Sequence, residues 1–449
     1  MEPLRKNTTH TLRFQGYTAE GMGVARLEGR VVFVPGVISG ELWEVLLVKV
    51  SKNVIWGKGV KLLEPSPERV QADCPLAGRC GGCQYRHMTY AEELRAKRAR
   101  VQDALKRLGG VDVPVPPVLG AEEPLRYRNK VQFPVADGKI GFYRARSHQV
   151  IDAEDCLLQP EQTAEIRRAV LEWMQEFHIP AYNETARRGL VRHLYVRTNR
   201  KGQALCCLVI CGKELPHGPE LVRRLQEKTP GLAGVVVNFN LRDTNVILGE
   251  EFQTLWGRAD LEEELCGLTF RLSVPSFFQV NRDQTQRLYQ LALEFAGLTG
   301  AETVLDLYCG IGSITLVLAR QAKRVIGAEI VPEAVENAKE NARNNGISNA
   351  EFFLGDAGKI AARLAEERLC PQVVVVDPPR KGLAEETPEI IAGMGPERVV
   401  YVSCDPATLA RDVKRFGVLE YTVQRVQPVD LFPRTAHVET CVLLQRGTV

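Results

Sequence analysis

The chain has 449 residues, 45% of them hydrophobic and 25% charged, with a formal net charge of +3. That length fits about three domains, and no apolar run approaches the roughly 20 residues of a membrane span. A charge so near balance identifies no partner, so the information lies in where cations gather.

Met1-Glu2-Pro3-Leu4-Arg5-Lys6 is followed by polar residues and lacks a signal-peptide core, so a cytoplasmic protein without membrane partners is expected. In that compartment, twelve cysteines point to metal binding or catalysis rather than disulfides. Residues 1–66 predict a small β-barrel. Val31-Val32-Phe33-Val34-Pro35, Leu42 to Val50 and Trp56-Gly57-Lys58-Gly59-Val60 are strand-like runs between glycine turns. Glu64-Pro65-Ser66-Pro67 reads as the linker out.

Residues 67–272 predict a central α+β domain. It opens on Cys74, Cys80 and Cys83 in C-x5-C-x2-C spacing, with Cys156 far downstream as a fourth candidate ligand. Spacing alone leaves structural zinc and an iron–sulfur cluster both open. A helix is expected from about Tyr90 to Leu108, ended by the proline-rich Val111 to Pro117. Further helices are expected near 160–178 and 218–228, among strands at Lys130–Phe133, Leu205–Ile210 and Gly234–Phe239. Residues 126–146 hold Arg126, Arg128, Lys130, Lys139, Arg144 and Arg146 against Asp137 alone. Residues 187–201 hold Arg187, Arg188, Arg192, Arg197, Arg200 and Lys201 and no acid. Interleaved with Tyr127, Phe142, Tyr143 and Tyr195, these stretches suit phosphate contacts plus base stacking.

Residues 273–449 alternate strand-like and helix-like runs, which predicts a parallel, doubly wound sheet. The last pair, Tyr421 to Val426 and Thr440 to Gln445, reads as a hairpin that makes the final strand antiparallel. Gly310-Ile311-Gly312 follows a strand that carries Asp306. A dinucleotide fingerprint needs a third glycine where Thr315 stands, and no Lys-Ser/Thr pair follows for ATP. Glu329, Asp356 and Asp377 close the next strands. An ordered set of acids suits a nucleoside with a cationic tail and no phosphates, which describes S-adenosylmethionine.

A buried run from Val399 to Val402 delivers Ser403-Cys404-Asp405-Pro406, followed by Thr408-Leu409-Ala410-Arg411-Asp412. This segment resembles the signature of RNA uracil-5 methyltransferases. Asp430-Leu431-Phe432-Pro433 with His437-Val438-Glu439 is similar to that family's companion motif. Phe277-Phe278-Gln279-Val280-Asn281 and Asp377-Pro378-Pro379-Arg380 match it too. The resemblance covers essentially the whole chain. It implies a class I methyltransferase sheet and a TRAM-like (OB-like) barrel at residues 1–66. It also implies a [4Fe–4S] cluster on Cys74, Cys80, Cys83 and Cys156, with zinc as the alternative. Gln279, Tyr308, Ser313, Glu329, Asp356 and Asp377 fall at the family's S-adenosylmethionine positions, although Ser313 replaces an expected Asn. The barrel and the cysteine set together resemble the 23S ribosomal RNA branch, with transfer RNA as the alternative partner.

The chemistry stands beside the resemblance. Carbon 5 of uracil is too weak a nucleophile to take a methyl group unaided. A Cys404 thiolate adding at carbon 6 makes an enolate, and carbon 5 can then attack a sulfonium methyl. A base must next remove the carbon 5 proton, and Glu439 is the candidate. His437 reads as a structural neighbour, and Phe277 or Phe278 as either a base stacker or core. The remaining cysteines read as packing residues. A non-catalytic RNA-binding assembly factor and an amino-group methyltransferase are the rivals. Cys404 with Glu439 disfavours the first, and Arg380 with Cys404 the second. A monomer is expected.

Overall fold

Alternation of buried and exposed positions builds the first sheet, and the computed structural model describes residues 4–447. Strands β1 (Thr9–Arg13), β2 (Gly23–Leu27), β3 (Arg30–Val34), β4 (Leu42–Val50) and β5 (Val54–Glu64) pair in the order β1-β4-β5-β3-β2. The two ends of this sheet meet. Gln15 N–H donates to Val24 O at 2.7 Å and Val24 N–H to Gly16 O at 3.1 Å. Leu12, Phe14, Val32, Val34, Val45, Leu47 and Ile55 fill the interior that the curled sheet encloses.

Helix α1 (Tyr90–Arg107) starts at Thr89, whose hydroxyl accepts from Glu92 N–H. Glu92 and Glu93 in its first turn and Lys106 and Arg107 in its last suit the helix dipole. Although α1 lies within the expected central domain, its Val101, Ala104 and Leu105 pack into the core of the C-terminal sheet.

The central sheet combines β6 (Lys130–Ala136), β7 (Lys139–Tyr143), β8 (Val150–Asp152), β9 (Val191–Thr198), β10 (Ala204–Ile210), β11 (Leu232–Phe239) and β12 (Glu251–Gly257). Their order is β12-β11-β10-β9-β6-β7-β8. Helices α2 (Glu161–Glu176) and α3 (Gly218–Lys228) cover one face around Trp173. Every residue of β9 and β10 is buried, as expected for central strands covered on both sides. A hairpin of β13 (Asp260–Leu265) and β14 (Leu268–Ser273) precedes residue 273, yet its Leu265, Phe270 and Leu272 pack into the C-terminal core.

The C-terminal layer runs α4 (Arg282–Ala296), β15 (Thr303–Leu307), α5 (Ser313–Ala319), β16 (Arg324–Glu329), α6 (Pro332–Asn344), β17 (Ala350–Leu354), α7 (Ala357–Glu366), β18 (Val373–Val376), α8 (Thr387–Met394), β19 (Arg398–Ser403), α9 (Pro406–Val418), β20 (Tyr421–Val429) and β21 (Glu439–Arg446). The sheet order is β17-β16-β15-β18-β19-β21-β20. All pairs from β17 to β19 are parallel, while β21 runs antiparallel to β19 and β20. This is the doubly wound sheet with a reversed last strand that the sequence predicts. No helix among the described residues is long and apolar enough to cross a membrane.

Candidate active site

Strand register brings the chemistry to one sheet edge. Leu307 pairs with Ala328 and Val376, and Val376 with Tyr401. Glu329, Tyr308, Asp377 and Cys404 therefore leave their strands at the same carboxyl edge, where open α/β sheets bind ligands. Ser403 pairs with Thr440 across β19 and β21. Continuing that antiparallel register one step sets Cys404 against Glu439, although 34 residues lie between the two in sequence.

Each candidate cofactor residue has a definite local setting. Glu329 Oε1 accepts Ile330 N–H at 2.8 Å and Val331 N–H at 2.9 Å, and its Oε2 accepts Gly310 N–H at 3.0 Å. These bonds fix the carboxylate while leaving lone pairs for a ligand. Asp356 caps α7 by accepting Lys359 N–H at 3.1 Å. Ser313 opens α5, and its hydroxyl lies 2.8 Å from Tyr289 Oη. Tyr308 takes the left-handed conformation with φ of 72°, which turns the chain sharply at the strand end. Gln279 is partly exposed and its carbonyl accepts Asn129 Nδ2–H at 2.9 Å. Asp306, one of the acids read as a strand-end ligand, is buried instead. Thr315, where the third glycine would stand, donates its hydroxyl to Asp306 Oδ2 at 2.5 Å. The pair braces β15 against α5.

The catalytic candidates are tuned by burial. Cys404 is partly buried, and its thiol is pushed up to about 11, first by burial and then by the negative charges of Glu439 and Asp377. Arg380 opposes that shift. Glu439 is 2% exposed, and burial with a smaller push from Asp377 raises its carboxyl to about 8. Asp377 is raised to about 7 by burial. Arg380 Nη2 lies 3.3 Å from His437 Nε2, and burial with the Arg380 charge lowers His437 to about 4. A neutral imidazole beside a guanidinium is a partner for Arg380. Of the two adjacent phenylalanines, Phe278 is 2% exposed and belongs to the core, while Phe277 is 65% exposed with Lys130 Nζ 5.7 Å from its ring centre.

Cys74, Cys80, Cys83 and Cys156 line one cavity of about 300 Å³ with Arg86, Arg128 and Lys130. Among the described residues, no group of three or more His, Cys, Asp or Glu is placed to hold a metal ion. Burial raises the Cys80, Cys83 and Cys156 thiols, and Arg86 partly opposes this for each. Arg126, read from sequence as a phosphate contact, holds the Cys156 segment: it pairs with Asp155 at 2.6 Å and donates to Gln159 O at 2.9 Å.

The basic stretches divide in the same way. Arg192 is buried and donates to the carbonyls of Asn240 and Arg242, while Arg197 is fully buried and donates to Tyr195 Oη and Ser276 O. Tyr195 is buried as well. These residues, expected at an RNA surface, instead satisfy loop carbonyls inside the central domain. Arg144, Arg146, Arg188, Arg200 and Lys201 are exposed. Cys370, expected to pack, is exposed too.

Comparison with known proteins decides the family. The family described as tRNA (Uracil-5-)-methyltransferase matches residues 261–447. An uncharacterized RNA methyltransferase of Clostridium tetani is 46% identical, with 98% of this chain and 97% of that protein covered. One of Halalkalibacterium halodurans is 44% identical, with 99% and 98% covered. The chain belongs to the RNA (uracil-5-)-methyltransferase family. A solved Pyrococcus abyssi tRNA (uracil-54, C5)-methyltransferase in complex with S-adenosyl-L-homocysteine is 26% identical. It aligns over 97% of this chain and 100% of its own, with a TM-score of 0.78. The enzyme is thus an S-adenosylmethionine-dependent RNA methyltransferase.

Sequence reading of this methyltransferase missed the cations that hold the site together. Lys97 is fully buried between Glu93 at 2.7 Å and Asp430 at 2.6 Å. Asp430 was legible only as part of a motif, and Lys97 only as a charge on a helix. The pairing joins residues more than 300 positions apart, which no local pattern encodes.

Proposed function

We propose that this enzyme methylates carbon 5 of a uridine in 23S ribosomal RNA, in the cytoplasm, through Cys404 as nucleophile and Glu439 as base. The observation that carries the proposal is the antiparallel register that sets Cys404 against Glu439 at the edge shared with Glu329, Tyr308 and Asp377. S-adenosylmethionine supplies an electrophilic methyl group on sulfur. Gln279, Tyr308, Ser313, Glu329, Asp356 and Asp377 are the residues proposed to hold it.

Cys404 gives its proton to solvent water and its sulfur bonds carbon 6 of uracil, moving the ring electrons onto oxygen 4. Carbon 5 takes the methyl group, and the sulfonium leaves as neutral thioether. Glu439 then accepts the carbon 5 proton, the ring double bond re-forms, and the Cys404 sulfur departs as thiolate. Burial holds the Cys404 thiol up at about 11 even with Arg380 opposing the shift, so at neutral pH it rests almost wholly protonated. Phe277, exposed beside Lys130, is proposed to stack an unpaired base, because a paired uracil hides both ring faces.

The curled five-stranded N-terminal sheet supports a TRAM-like role, and the four cysteines at one cavity support a [4Fe–4S] cluster. Together they favour the 23S branch. The second reading is a transfer-RNA uridine, favoured by the full-length likeness to the Pyrococcus abyssi enzyme. Tritium release from 5-tritiated uridine separates them. Release from 23S transcripts and not from transfer RNA is expected, and the reverse would transfer the assignment. Loss of release in Cys404→Ala tests the nucleophile.

A further inference from the structure

Three regions far apart in sequence meet at the peptide of Ala436. Its N–H donates to Gln84 Oε1 at 3.2 Å, and its carbonyl accepts Arg100 Nη1–H at 2.8 Å. Gln84 directly follows Cys83, and its Nε2 donates to Gly81 O at 3.1 Å within the cysteine loop. Arg100, on α1, reaches Asp405 Oδ2 at 3.4 Å with its other nitrogen, and Asp405 directly follows Cys404. Ala436 itself stands three residues before Glu439.

The turn ahead of Ala436 is held as tightly. Arg434 has φ of 71°, a left-handed conformation that a non-glycine residue keeps only where its surroundings hold it. Backbone N–H groups of Gln84 and Tyr85 both donate to its carbonyl, at 3.0 and 3.1 Å. Its own N–H donates to the buried Glu93 at 2.7 Å. The barrel closes the third side: a Cβ at Gly21 would stand 3.0 Å from Gln84 Cβ and 3.3 Å from Ala436 Cβ. These bonds end one residue from Cys404, at Asp405, and three residues from Glu439, at Ala436. They start at a wall of the cysteine-lined cavity.

We infer that the Ala436 peptide is the joint through which the cysteine-lined cavity sets the geometry of Cys404 and Glu439, with Gln84 and Arg100 as positioning residues. The inference rests on the covalent reading above. When the Cys83 loop is ordered, Gln84 holds the Arg434–Ala436 turn in its left-handed form and Arg100 carries that placement to Asp405. When the loop loosens, Glu439 loses its fixed approach to carbon 5 of the adduct. The cavity thereby acts on the methyl-transfer site without taking part in the chemistry.

A claim of coupling needs an energetic test rather than proximity. Full-length native enzyme, Gln84→Ala, Gln84→Glu, Arg100→Ala, Gln84→Ala/Arg100→Ala, Cys83→Ala and Cys83→Ala/Gln84→Ala are compared. Amide exchange of the 433–439 peptide and steady-state methylation are measured for each. In Gln84→Ala, exchange should rise and kcat fall by about tenfold, the scale of one lost hydrogen bond, with KM for S-adenosylmethionine unchanged. Gln84→Glu keeps the acceptor oxygen and should recover most of the loss. Cys83→Ala should raise exchange in the native background and add little in Gln84→Ala. The Gln84→Ala/Arg100→Ala variant should lose less than the product of the single losses, since both act on one peptide. Native exchange and kcat in Gln84→Ala, or strictly multiplicative losses, overturn the inference. Loss of adduct chemistry in all variants, native enzyme included, would instead count against the covalent reading, and the exchange result would still stand by itself.

Discussion

Removal of the carbon 5 proton should titrate with Glu439. Burial, helped by Asp377 and opposed by Arg380, raises this carboxyl to about 8. Only its deprotonated form can act as base. Two units below its pKa roughly 1% is ionised, so adduct resolution should climb about tenfold per pH unit from 6 to 7 and flatten above 8. Formation of the adduct also rises with pH, because Cys404 titrates near 11. The steps are separated by forming the adduct at one pH, jumping to another and following its decay on denaturing gels after rapid quench. Glu439→Gln should slow decay by about 10²–10⁴-fold, the usual weight of a positioned base, and leave an adduct stable to denaturation. Asp377→Asn removes a charge that raises Glu439, so the surviving profile should shift to lower pH. Decay that ignores pH between 6 and 8, or normal turnover in Glu439→Gln, would remove Glu439 from the role.

Lys97→Met should strand Glu93 and Asp430 as unpaired buried carboxylates and cost about 3–5 kcal/mol in denaturant unfolding. Glu93 is already pushed up by burial, so the folded state binds more protons than the unfolded one. Without Lys97 that carboxyl should rise further, so the deficit should grow as pH climbs above about 7, where the native Glu93 ionises, and a pH-independent loss below 1 kcal/mol would contradict the network. Cys156→Ala should abolish the brown colour and iron content of anaerobically purified protein; a colourless native enzyme with one zinc per chain would replace the cluster assignment. RNA affinity should fall steeply with salt, and Arg144→Ala with Arg146→Ala should flatten the log–log slope by about 1 each if both meet phosphates. An unchanged slope would place the RNA elsewhere.

Much of this protein could be read from residues alone because the signals are local. The βα alternation after Ser273, the glycine pair opening α5 and the cysteine at the end of β19 are short-range patterns, and each lies where its pattern implies. The antiparallel last strand was legible too, since two strand-like runs joined by a short proline-bearing loop read as a hairpin, and β20 and β21 pair that way. The sequence also supplied Glu439 as a candidate, through a motif and a chemical need for a base. Tertiary structure decided which charged residues serve the interior. Arg192, Arg197 and Arg126 look like nucleic-acid contacts in a linear count, but each satisfies carbonyls or a carboxylate brought near by folding. It likewise separated Phe277 from Phe278, because adjacent residues of an extended segment face opposite sides and only packing says which side is core. The Gln84–Ala436–Arg100 joint lay beyond any sequence reading, because a hydrogen bond between residues hundreds of positions apart leaves no periodicity. Short-range patterning fixed the elements and their chemistry, while long-range packing supplied partners such as Asp430 for Lys97 and Ser276 for Arg197.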